Sequence, residues 1–125
     1  MLFRHMVFNA AIGNVDDHLK NFWMLATPSG YSLAPAFDLV PDTADRVEHT
    51  LSFRYQFGCP TAGELLEVAS EWEVANAPEI LEQVVTTVAR FATTARQLEV
   101  GGGAALEKIQ ADISRRLQLI ERQSA

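Results

Sequence analysis

The chain has one cysteine, no basic excess and no long apolar run. Each shortage excludes something. A lone Cys59 cannot build a disulfide framework within the chain, and a reducing compartment fits best. Ten Lys and Arg stand against sixteen Asp and Glu, for a net charge of -6. That balance is the opposite of the basic footprint of a dedicated nucleic-acid binder, so no direct nucleic-acid binding is expected. No apolar stretch approaches the ~20 residues of a membrane span. The N-terminal MLFRHMVFNAAIG is interrupted by Arg4, His5 and Asn9, unlike the unbroken core of a signal peptide. The expectation is a cytoplasmic protein with no membrane segment.

What is present suits one domain over residues 1–125. The hydrophobic fraction is 48% and the charged fraction 21%, enough apolar material for a core in a chain of 125 residues. Leu2, Phe3, Met6, Val7, Ala10 and Ala11 recur at helical spacing and predict a helix over 2–12, stopped by Gly13-Asn14. This pattern starts without a lead-in or cap, which suggests that an N-terminal part of a larger protein is absent. Residues 14–21 are polar and read as a loop. FWML at 22–25 and YSLA at 31–34 flank the turn TPSG at 27–30, so 22–34 reads as a β-hairpin. Pro35 and Pro41 bracket the irregular AFDLV. TLSFRYQF at 50–57 alternates apolar with polar and predicts another short strand. Thr61 and Glu64 form a capping-box pattern for a helix to about Ser70. Pro78 suits the first turn of a long helix to about Leu98, with Ile80, Leu81, Val84, Val85, Val88 and Phe91 as its buried stripe. The glycines at 101–103 break the chain, and a last helix follows over 104–122 with Leu106, Ile109, Ile113, Leu117 and Ile120 on one face. The fold class is mainly α, with a small β-hairpin near the N-terminus.

Chemistry concentrates in 25 residues. The loop Asp16-Asp17-His18-Leu19-Lys20-Asn21 precedes the hairpin, and Asp38 follows it in LAPAFDLVP. A hairpin reverses the chain and can return Asp38 beside the loop. The set suits phosphoryl transfer. Mg²⁺ is hard and takes oxygen ligands, usually one or two carboxylates with phosphate oxygens and water. An acceptor hydroxyl also needs a carboxylate to orient it and take its proton. In protein kinases that acid lies five residues before a metal-binding Asn, as Asp16 lies before Asn21. The metal-binding acid then comes later, as Asp38 does.

IGNVDDHLKNF (12–22) with YSLAPAFDLVP (31–41) resembles the C-terminal portion of HipA-family serine/threonine kinases, the toxins of HipA/HipB toxin–antitoxin pairs. The family pattern reads roughly I-G-N-x-D-x-H-x-K-N, a hairpin, then L-A-P-x-Y-D-L, with Phe37 here where Tyr is common. HTLSFRYQF (49–57) and VARFATTAR (88–96) extend the likeness. The resemblance implies the helical C-lobe of a kinase-like fold, with the N-terminal lobe absent from the chain or supplied by a separate one. It implies Asp16 as catalytic acid, Asn21 and Asp38 as Mg²⁺ ligands in the nucleotide site, and ATP as co-substrate. His18 and Lys20 take supporting roles, positioning the loop or placing positive charge near the transferred phosphate. It further implies a HipB-like antitoxin as partner and an aminoacyl-tRNA synthetase as protein substrate. Nothing before residue 12 matches a phosphate-covering lobe, and the isolated chain is expected to be inactive.

Plainer readings stand beside these. Asp and Asn favour turns and caps on their own account. His5 and His49 read as structural or surface residues, and Cys59 as a buried or loop thiol. A zinc site from His5, His18 and Asp16 or Asp17 fits no standard ligand spacing. Trp23 and Trp72 read as core anchors. Arg115-Arg116 reads as a solvated face, since Glu107, Asp112 and Glu121 share the helix. In a second functional class, the chain is a non-catalytic fragment that associates with a missing lobe, an antitoxin or itself through its apolar first helix.

Overall fold

Apolar spacing places α1 at Leu2–Ile12, the bounds its pattern predicts. A computed structural model describes residues 2–16, 21–37, 39–42, 48–51, 53, 57–99 and 102–122. After α1 come β1 (Met24–Thr27), β2 (Gly30–Leu33), α2 (Ala62–Glu71), α3 (Ala77–Ala89), α4 (Phe91–Gln97) and α5 (Gly103–Glu121). The architecture is mainly helical with one small antiparallel hairpin, as the sequence indicates.

α1 packs against α3 and α5, and α3 also meets α2, α4 and α5. Phe3, Val7, Ala10, Leu65, Leu81, Val84, Ile113 and Ile120 form the centre of the core. These side chains lose nearly all contact with water, and that burial is the main favourable term in folding. α2 starts where its capping box predicts. Glu64 N–H donates to Thr61 Oγ1 at 3.3 Å, and Thr61 N–H donates to Glu64 Oε2 at 2.7 Å.

The hairpin pairs Met24 with Leu33 and Thr27 with Gly30. Pro28 sets a negative φ at the first turn position, and Gly30 takes φ +133°, which glycine tolerates. Every residue of β1 is exposed.

Three expectations need correction. The helix predicted over 78–98 is two helices, broken at Arg90 (φ -92°, ψ 8°). One turn earlier the Thr87 hydroxyl donates to the Gln83 carbonyl at 2.7 Å, a back-bond that bends helices. The strand predicted over 50–57 falls partly outside the described residues, and among those described Phe53 makes an isolated bridge. Trp23 and Trp72 are not core anchors, being 62% and 45% exposed. Trp23 lies on the projecting hairpin, and Trp72 is the C-cap of α2. Arg116 is not on a solvated face: it is 1% exposed.

Candidate active-site loop and its anchors

The loop begins at the end of α1, and the helix end is built with care. Gly13 adopts φ +78°, the left-handed conformation that commonly terminates helices. Its N–H donates to Asn9 O at 3.1 Å, and the Asn14 N–H donates to the same carbonyl at 3.0 Å. The second bond has the six-to-one spacing of a Schellman cap. The side chains repeat the tie, with Asn14 Nδ2 donating to Asn9 Oδ1 at 3.0 Å in a buried setting. His5 and Asn9 look like interruptions of the apolar pattern in sequence. Both are buried. Asn9 holds the loop entry, and the His5 ring lies 4.7 Å from that of Phe22 just past Asn21.

The next residues are held from two further directions. Thr50 donates to Val15 O through its backbone N–H at 2.9 Å and its hydroxyl at 3.1 Å. The Asp42 N–H donates to Gly13 O at 2.9 Å. Asp42 lies four residues beyond Asp38, so the segment leaving the second motif is fastened to the entry of the first. The other flank is tied as well. Ala34 N–H donates to Trp23 O at 2.7 Å, and the Trp23 and Phe37 rings meet edge-on at 5.7 Å. A cavity of about 290 Å³ lies between Phe8 and Val84 on the helices and Leu33, Ala34, Ala36 and Leu39 on the return path. Residues 34–37, which lead to Asp38, are thus tied to the hairpin base.

Of the sequence-predicted site residues, Asp16 is exposed at the end of this anchored entry, and Asn21 is buried at 9% exposure. Asp17, His18, Lys20 and Asp38 lie outside the described residues. The described flanks of the two motifs are brought together: Gly13 with Asp42, and Trp23 with Ala34 and Phe37.

Beneath the loop entry sits a polar cluster that sequence reasoning missed. Arg116 Nε donates to Asp112 Oδ2 at 2.7 Å. Arg116 Nη1 lies 3.0 Å from His49 Nε2 and donates to Ala10 O at 3.4 Å. A guanidinium offers only donors, so His49 accepts through Nε2 and carries its ring proton on Nδ1. The Ala10 carbonyl belongs to the last turn of α1, where a cation complements the negative end of the helix dipole. Asp112 also accepts from Arg115 Nη2 at 2.7 Å. Burial alone would raise the Asp112 pKa, but hydrogen bonds from Arg116 and Arg115 and their charges outweigh it and hold the carboxyl below its ordinary value. Cys59 Sγ touches Ala10 O and Arg116 O at 3.9 and 3.8 Å. Burial pushes its thiol pKa up against the opposing pull of Arg116, which makes Cys59 a poor nucleophile.

Among the described residues no helix is long and apolar enough to cross a membrane. No curated protein matches the chain. A family model does: the HipA-like C-terminal domain matches residues 1–95, which take in the loop, the hairpin and α1 to α3. With three-quarters of its length inside that match, the chain belongs to the HipA-like C-terminal domain family.

Proposed function

We propose that the chain is the catalytic and metal-binding part of a HipA-like serine/threonine protein kinase. The observation that carries the reading is the Asp42–Gly13 hydrogen bond, which fastens the flank of the Asp38 motif to the entry of the Asp16–Asn21 loop. Spacing alone suggests that the two motifs cooperate. A direct tie between their flanks is the support that two unrelated loops would lack.

In this reading Asp16 orients the acceptor hydroxyl and takes its proton on a carboxylate oxygen. Its exposure suits a residue that a protein substrate must reach. Asn21 and Asp38 hold Mg²⁺. The donor set fits the ion, because an amide oxygen and a carboxylate are hard ligands, and the buried Asn21 has little freedom to wander. Bound Mg²⁺ would supply charge neutralisation for the ATP phosphates. His18 and Lys20 steady the loop or add positive charge beside the transferred phosphate. A nucleotide-holding lobe, joined to this chain or supplied separately, completes the grip on ATP. A toxin–antitoxin role, a HipB-like partner and an aminoacyl-tRNA synthetase substrate are what the family resemblance implies, and a cytoplasmic location is the expectation from composition.

The test uses an enzyme assembled from this chain and such a lobe. Asp16→Asn should lower phosphoryl transfer by about a hundredfold or more while Mg²⁺–ATP still binds. Asp38→Asn should abolish transfer, and near-normal turnover in that variant would sink the metal assignment.

A second reading is a non-catalytic association module. The exposed apolar side chains of the hairpin favour it, with Trp23, Met24 and Tyr31 at 62%, 58% and 77% exposure. The first helix does not offer its apolar face, which packs inside the chain on α3 and α5. This reading requires association with the lobe but no transfer in any variant.

A further inference from the structure

The family match ends at residue 95, yet α5 lies beyond it and reaches back to the loop. We propose that Arg116, supported by Asp112 and His49, is a positioning residue that sets the entry of the candidate catalytic loop. The inference rests on the kinase reading only in calling that loop catalytic.

Three observations carry it. First, among the described residues Arg116 is the one Lys, Arg, Asp or Glu side chain in the buried set. A buried cation is costly unless paired and hydrogen-bonded. Its neighbours on the same helix face, Ile113 and Ile120, fill their core positions with hydrocarbon. A residue needed only for packing would be expected to do likewise.

Second, both partners of its guanidinium outside α5 lead to the loop. Ala10 O is in the last turn of α1, immediately before Gly13. His49 adjoins Thr50, which holds Val15 O through two hydrogen bonds. Asp112, on α5 itself, fixes the Nε edge. The guanidinium thus ties α5 to both segments that flank the loop entry.

Third, the approach is too close for a side chain at Gly13. A Cβ on Gly13 would lie 2.8 Å from Arg116 Nε and 2.8 Å from Asp112 Oδ2. The backbone that turns toward Asp16 therefore rests directly on this ion pair. Asp16 is three residues further on.

The alternative is that Arg116 merely helps hold the helices together. Amide hydrogen exchange on the chain separates the two and needs no turnover. In Arg116→Gln, the exchange of the amides of Gly13, Asn14, Val15 and Thr50 should accelerate by about tenfold or more beyond any acceleration of those of Leu81 to Val88 in α3. Unchanged rates at the four loop amides would overturn the proposal. So would equal acceleration everywhere, which is the mark of a general stability role. If Arg116→Gln does not fold, Asp112→Asn, on the more exposed side of the pair, should give the same local pattern in smaller degree, with the same two overturning outcomes. Nitrogen chemical shifts of His49 give an independent check. Nε2 should carry no proton in the wild type, and a protonated Nε2 would contradict the contact. Because none of these readouts involves phosphoryl transfer, failure of Asp16 or Asp38 in their own test leaves them interpretable.

Discussion

Asp112 and Arg116 are spaced i, i+4 on α5, and from sequence that spacing describes an ordinary exposed ion pair. The charge pattern was legible; its burial was not. The partners that draw Arg116 inward, His49 and Ala10 O, lie 67 and 106 residues away along the chain. No local pattern encodes them. The same holds for Asn9, whose role becomes visible only once Asn14 folds back onto it. The pair gives a pH prediction. The folded Asp112 carboxyl titrates below its ordinary value, so its contribution to stability is fully present above that value and is lost as pH falls through the lower folded one. Asp112→Asn should therefore lower the urea midpoint near neutral pH, and the gap from wild type should shrink as pH falls below about 4. A gap independent of pH would refute this assignment of the ion pair.

At the scale of elements, local signals did well where local forces decide. Thr61 and Glu64 satisfy each other and the first turn of α2 within four residues, and the capping box was therefore readable. Thr61→Ala should cost about 1 kcal/mol, measured by urea denaturation, with α2 otherwise intact. The bounds of α1 and the presence of the hairpin were readable for the same reason: apolar periodicity ends at a glycine, and Pro28 and Gly30 mark a turn, although the strands run over Met24–Thr27 and Gly30–Leu33 rather than 22–25 and 31–34. The break between α3 and α4 was not, because 78–98 keeps a continuous apolar stripe across Arg90, and the Thr87 back-bond competes beneath it. Trp23 and Trp72 failed as core markers because size and hydrophobicity do not say which face an element buries. Trp23 sits on a hairpin whose first strand is wholly exposed.

For the whole molecule, the sequence order of loop, hairpin and acid carried the candidate site. The ties between Gly13 and Asp42 and between Trp23 and Phe37 agree with that order by fastening the flanks of both motifs. What order could not convey is the support from behind. α5 closes on the loop entry from outside the family match, through a buried cation that resembles a surface charge until the chain is folded. The central claim is that Asp16, Asn21 and Asp38 form one phosphoryl-transfer edge. Isothermal titration with Mg²⁺–ATP on the enzyme assembled from this chain and its nucleotide-holding lobe, as wild type and as Asp38→Asn, tests it most directly. The account predicts Mg²⁺-dependent heat with the wild type at up to millimolar nucleotide and its loss in the variant. No Mg²⁺-dependent heat from the wild type, or equal heat from both proteins, would contradict it.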